Sequence, residues 1–313
     1  MKKMLSAVMA AALVTAAAGA SAEYHVGICQ LVQHVALDAA SQGFMDALKA
    51  EFGDEVVFDY QNASGDSTNC ATIVNGFVSN SYDLILGNAT PALQAAIAAT
   101  ADIPVLGTAI TDYGTALGMS DIGPGAATGI NVSGTTDLAP LDGQAAMIKE
   151  LYPDAGTVGL LYCSAEPNSV YQVTVIRGYL EADGYTCTDY AFADSNDVAS
   201  VVQNACDNCD VLYIPTDNTA ASVTETIANV VIPAGKPVIA GEEGIMKGCG
   251  VATLTISYYD LGVATGEMAA EILKGADVKA TPIKSAPNFT KEYNPTNCTA
   301  LGLTVPADYV AAE

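Results

Sequence analysis

The sequence has no tryptophan, only two histidines, and only 11 lysines and arginines against 35 aspartates and glutamates, for a net charge of −24 over 313 residues. No basic cluster occurs after Lys2 and Lys3. The cationic footprint that neutralises nucleic-acid phosphates is therefore absent, and an anionic lipid surface would repel the chain. Charged residues make up only 15% and apolar residues 50%, which excludes a disordered chain or a coiled coil. His25 and His34 form no HxxxH or Cys/His zinc spacing, and neither a Gly-x-Ser-x-Gly elbow nor a P-loop occurs. The adjacent acids Glu242 and Glu243 diverge on a loop, and no second loop supplies a partner for glycosidase chemistry. No metal, cofactor or catalytic residue is expected, and the chain reads as a binding protein rather than an enzyme.

Long apolar runs are confined to the N-terminus. Lys2 and Lys3 precede an apolar stretch from Met4 to Ala18, and Ala20-Ser21-Ala22 has the small-x-small pattern of a cleavage site. Residues 1–22 therefore read as a signal peptide, with the mature chain starting at Glu23 and no later membrane span. The first cysteine, Cys29, lies inside a predicted strand, so no lipid attachment is expected. These features predict a soluble, monomeric protein of the periplasm.

All eight cysteines follow the leader, and an even count in an oxidising compartment implies disulfides. The expected pairing is sequential: Cys29–Cys70, Cys163–Cys187, Cys206–Cys209 and Cys249–Cys298. Cys206-Asp-Asn-Cys209 ends a helical stretch instead of opening one, which favours a staple over a redox pair.

Short β-rich runs alternate with amphipathic stretches along the chain. Tyr24 to Cys29 reads as a strand, and Leu37, Ala40, Phe44, Ala47 and Leu48 then recur at helical spacing. Strands follow at Val56 to Tyr60, Asp83 to Leu86 and Ile103 to Leu106, with helices at Ser67 to Ser79 and Pro91 to Ala99. Such alternation predicts βαβ units and a parallel sheet covered on both faces. The second half repeats the programme. Val26-Gly27-Ile28 leading to Gly43-Phe44 is echoed by Val158-Gly159-Leu160 leading to Gly178-Tyr179, and Ile103-Pro104-Val105 by Lys236-Pro237-Val238.

The expected fold is therefore α/β, with two Rossmann-like lobes joined by a three-segment hinge. Lobe one takes 23–134 and 258–286, and lobe two takes 135–257 and 287–313. Ligands of open parallel sheets bind beyond the carboxyl ends of the strands, so two such edges facing each other form a cleft. The loops at those ends carry Gln33 and His34, Asn88-Ala89-Thr90, and Thr108 in the first half. In the second half they carry Glu166, Asn168 and Ser169, then Asp217 and Asn218, then Glu242. Mostly uncharged hydrogen bonders at helix starts suit a carboxylate, and the three acids of the second half suit an ammonium group. The pattern predicts an amino-acid zwitterion held between the lobes, although the same residue types also serve as ordinary helix caps.

Several blocks carry a family resemblance. Gln30-Leu-Val-Gln-His-Val-Ala-Leu-Asp38 with Gly43-Phe44, Tyr60-Gln-Asn-Ala-Ser-Gly-Asp66, Pro215-Thr-Asp-Asn-Thr219, Ala240-Gly-Glu-Glu-Gly244 and Ile256-Ser-Tyr-Tyr-Asp-Leu-Gly262 occur in family order. Together they resemble ABC-transporter substrate-binding proteins of the tryptophan/tyrosine (TrpX-like) type. The resemblance implies a type I periplasmic-binding-protein fold and delivery of an aromatic amino acid to an ABC permease. Gln33-His34-Val35 departs from the family's common Glu-His-Pro. In this reading Thr90 and Thr108, with the amides around Asn88 and Ala89, hold the carboxylate, and Asp217 and Glu242 take the amine. Gln33, His34, Glu166 and Asn168 line the side-chain end, with Ser169 and Asn218 completing the set. Without tryptophan, stacking falls to a tyrosine such as Tyr113, Tyr162 or Tyr258. The alternatives are a ligand-sensing module for a membrane receptor, an exported hydrolase, or a binder of a sugar or nucleoside.

Overall fold

A computed structural model of the chain describes residues 23–286 and 288–312. The expected leader, residues 1–22, lies outside the described residues. The first half runs β1 (Tyr24–Gln30), α1 (Val35–Phe52), β2 (Val56–Asn62), α2 (Ser67–Ser79), β3 (Leu84–Asn88) and α3 (Thr90–Ala99). It continues through β4 (Val105–Ile110), α4 (Tyr113–Leu117) and β5 (Val132–Thr136). The second half begins with α5 (Leu141–Leu151), β6 (Thr157–Cys163), α6 (Pro167–Ala182), β7 (Thr186–Phe192) and α7 (Val198–Asn208). Then come β8 (Val211–Ile214), α8 (Asn218–Ser222), α9 (Thr224–Val231), β9 (Val238–Ala240), α10 (Glu243–Gly248) and β10 (Ala252–Thr255). The chain closes with α11 (Tyr258–Leu273), β11 (Lys284–Ser285), β12 (Thr290–Tyr293), α12 (Pro295–Ala300) and β13 (Val310–Ala311).

Two sheets result. The first has the order β2-β1-β3-β4-β5-β11 and is parallel throughout. The second, β7-β6-β8-β9-β10-β12-β13, is parallel except where β12 runs against β10. The sequence echoes fall on matching positions, since β1, β3 and β4 stand in their sheet where β6, β8 and β9 stand in theirs. Central strands such as β3 and β4 are buried along their whole length, as a sheet covered on both faces requires. Each sheet carries one hydrophobic cluster on each face.

The chain crosses between the sheets three times. It leaves the first sheet after Thr136. It returns through Ile256 and Ser257 into α11, and crosses again between β11 and β12. Helix α11 packs backbone to backbone on α1. A Cβ on Gly43 would stand 2.1 Å from the Tyr259 carbonyl oxygen, and one on Gly262 would stand 2.0 Å from that of Ala40. Only glycine permits that approach.

Strand β4 runs past the expected Leu106 to Ile110, because Ala109 takes a left-handed φ of 54° and shifts the register against β5. Thr108 is therefore a strand residue and not a loop residue.

The eight cysteines are all free thiols, which corrects the expected disulfides. Cys163 lies opposite Phe192 and Cys187 opposite Val158, at opposite ends of the β6–β7 ladder. That separates them by roughly 16 Å, far beyond disulfide reach. Cys249 and Cys298 belong to clusters on different faces of the second sheet. Cys206 sits in the last turn of α7 and Cys209 caps it, both buried without a bond. Cys29 and Cys70 do lie in one buried cluster, between β1 and α2. Among the described residues no helix is long and apolar enough to cross a membrane.

Candidate functional site

The carboxyl ends of both sheets face one another, and a cavity of about 540 Å³ lies between them. Leu31, Val32, Pro91 and Gln94 line it from the first lobe, and Glu166 and Asn218 from the second. This volume suits a small organic ligand.

In the first lobe, two helix N-termini open toward the cleft without a side-chain cap. His34 precedes α1 and Ala89 precedes α3, and neither caps its helix. Ala89 holds φ 84° and ψ 157°, a region nearly reserved for glycine, while remaining fully buried. The strain turns the chain sharply from β3 into α3 and leaves the first-turn N–H groups around Thr90 open to an acceptor. Asn88 serves the scaffold instead. Its Nδ2 donates to the Leu37 carbonyl at 2.8 Å and to Ser41 Oγ at 2.9 Å, tying α1 to β3. Thr108 is likewise committed, in a buried ring of hydroxyls with Thr135 (3.4 Å) and Thr265 (3.1 Å) that seats α11 on the sheet. Gln33 is exposed.

In the second lobe, the three acids are occupied by protein donors. Glu166 accepts from the Asn218 and Thr219 backbone N–H groups at 3.1 and 2.8 Å. It also accepts from Asn218 Nδ2 at 2.6 Å, Thr219 Oγ1 at 2.7 Å and Asn168 Nδ2 at 3.2 Å. Asp217 caps α8 through Ala220 N–H at 2.8 Å and takes Cys163 N–H at 2.6 Å, with Ser169 beside it. Glu242 caps α10 through the N–H groups of Gly244 (2.7 Å) and Ile245. Burial pushes the carboxyl groups of Asp217 and Glu242 up to about 7.

A hydrogen bond spans the cleft. His34 Nε2 lies 3.3 Å from Asn218 Oδ1. Because Asn218 gives its amide nitrogen to Glu166, its oxygen is left to accept, which sets His34 as the Nε2–H tautomer with a bare Nδ1. Burial lowers the imidazole pKa, so the ring is neutral. His34 Nδ1 and Asn168 Oδ1 are buried and unpartnered, so both rims hold hydrogen-bonding capacity in reserve.

Of the three tyrosines considered for stacking, Tyr113 is a core residue whose hydroxyl donates to the Gly107 carbonyl at 3.1 Å. Tyr162, partly buried on β6, packs against the core of the second lobe. Tyr258 opens α11 at the hinge, and its hydroxyl donates to Asp137 Oδ2 at 2.9 Å. Asp137 escaped sequence reasoning because it follows a threonine-rich strand and precedes no helix cap. A lone aspartate in so acidic a chain gives no signal.

Residues 25–312 match the family described as ABC transporter substrate binding protein. A tyrosine-binding protein from Clostridioides difficile is 37% identical over 263 residues, covering 83% of this chain and 75% of that one. A Streptococcus pneumoniae ABC domain solved in complex with L-Trp superimposes with a TM-score of 0.86 at 35% identity, covering 91% of this chain and 97% of that one. The ligand-free, open structure of a Clostridium difficile substrate-binding protein with adhesive properties is also 35% identical, covering 93% of this chain and 100% of that one. Its TM-score is only 0.68. In the present structure the His34–Asn218 contact joins the two lobes across the cleft.

Proposed function

The chain belongs to the ABC transporter substrate-binding protein family, and from that premise we propose that it captures an aromatic amino acid between its lobes and presents it to a membrane permease. The observation that carries the reading is the strained start of α3, which has no side-chain cap for the N–H groups of its first turn and brings Pro91 and Gln94 to the interlobe cavity. The relatives named for tyrosine binding and solved with L-Trp support the aromatic side chain. His34 Nδ1 is an acceptor suited to a phenol or indole donor. Micromolar affinity corresponds to about −8 kcal/mol, within reach of two or three charge-assisted hydrogen bonds at ~1.5–3 kcal/mol each plus ring burial.

In the cell, the family's extracytoplasmic role accords with the leader read at residues 1–22. The mature protein starts at Glu23, carries no lipid, and works as a periplasmic monomer. Intact mass and N-terminal sequencing of the exported chain test the processing.

Titration calorimetry against the twenty amino acids tests the function. Tyrosine, tryptophan or phenylalanine is expected to bind in the micromolar range. The reading fails if no amino acid binds more tightly than millimolar while a sugar or nucleoside does.

A further inference from the structure

The three acids that the sequence offers for an ammonium group already serve backbone amides. A fourth, Asp137, has a free side. It stands on the first crossing, directly after β5, and is 3% exposed. Its backbone N–H goes to the Ile110 carbonyl at 3.2 Å and its Oδ2 receives the Tyr258 hydroxyl, while Oδ1 has no partner of hydrogen-bonding geometry. Thr111 stands beside the carboxylate, and Glu242 of the second lobe and the phenols of Tyr113 and Tyr258 feel its charge. The groups acting on Asp137 are hydroxyls and its own backbone N–H, and those acting on Glu242 are backbone N–H groups and further carboxylates. A buried carboxylate in such company is costly unless a cation completes it.

We propose that Asp137 is the seat of the ligand's ammonium group, with the Tyr258 hydroxyl orienting it. The proposal rests on the amino-acid reading above.

The test uses the purified exported chain and three probes: L-tyrosine, its des-amino analogue 3-(4-hydroxyphenyl)propionate, and tyramine, which keeps the ammonium group and lacks the carboxylate. The wild-type protein is expected to bind the des-amino analogue about 100-fold or more weakly than L-tyrosine, as loss of one partner of a buried charge pair requires. Asp137→Asn is expected to weaken L-tyrosine by a similar factor while leaving the des-amino analogue within about threefold of its wild-type affinity. Des-amino binding within about threefold of L-tyrosine in the wild type overturns the seat, whether or not the variant folds. Binding of tyramine at L-tyrosine strength leaves the ammonium seat standing and removes the α3 carboxylate site. Absence of binding by every amino acid overturns the functional reading, and the seat with it.

Discussion

His34 and Asn218, 184 positions apart in the chain, meet across the cleft with 3.3 Å between Nε2 and Oδ1. Behind Asn218 stands Glu166, whose carboxylate fixes the amide so that its oxygen faces the histidine. The contact thus couples a buried acid of one lobe to an imidazole tautomer of the other, and it exists only when the lobes are together.

Replacing His34 with alanine is expected to weaken ligand binding about 3–10-fold, the worth of one neutral hydrogen bond at ~0.5–1.5 kcal/mol. Asn218→Ala should act alike, and the two losses should not add, because they remove the same contact. Calorimetric titration of both single variants and the double variant checks this. Additive losses would mean that each residue works on its own.

Glu166 holds the start of α8 with four hydrogen bonds, from Asn218 and Thr219, and accepts a fifth from Asn168 of α6. Glu166→Gln turns an amide NH₂ toward these donors and should cost about 2–3 kcal/mol of stability, visible as a lowered denaturant midpoint without ligand. An unchanged midpoint with lost binding would return Glu166 to the ligand-contacting role read from the sequence.

Stability should depend on pH with a definite sign. In the folded chain Asp137 sits at about 6, and Asp217 and Glu242 at about 7, against ordinary values of 3.8, 3.8 and 4.5. Desolvation is the main cause in each. Between the ordinary and the folded values, the folded state holds protons that the unfolded chain has released. Stability therefore falls as pH rises through this window and levels off above about 7. His34, lowered from 6.5 by burial, acts oppositely and loses stability as pH falls below that value. Three carboxylates against one imidazole leave the unliganded chain melting higher at pH 5 than at pH 8, which a thermal scan at the two pH values checks.

Ala89 stores backbone strain at the turn into α3. Ala89→Gly relieves it and should stabilise the fold by about 1 kcal/mol, net of glycine's greater freedom in the unfolded chain. Chemical denaturation measures the gain. A loss would show that the Ala89 methyl packs too well to be removed.

Two glycines that echo one another in the sequence should respond in opposite ways. Gly43 on α1 meets the Tyr259 carbonyl, whereas a Cβ on Gly178 of α6 would meet nothing within 4 Å. Gly43→Ala is expected to cost about 3 kcal/mol or more by forcing α1 and α11 apart. Gly178→Ala should add about 0.5–1 kcal/mol through helix propensity. Denaturant midpoints of the two variants decide.

The sequence by itself determined the fold class and the place of the cleft. Period and composition distinguish strands buried on both faces from the helices that cover them, and the repeated blocks declare two lobes of one design. Strand β5, with its Ser-Gly-Thr-Thr run, lacks that apolar signature and was not legible as a strand. The roles of individual polar residues belonged to the tertiary structure alone. Asp217 and Glu242 stand at helix starts, where the same carboxylate can cap backbone amides or hold a ligand, and only the direction of the nearest donors separates the two. Thr108 resembles a loop hydroxyl until β4 is seen to continue through Ala109 and Thr265 is seen to come down on it from α11. Cysteine spacing says nothing about which face of a sheet each sulfur occupies. Asp137 acquires meaning only where the hinge brings it against Tyr258, because a side chain's free lone pair depends on every neighbour the fold does not place there.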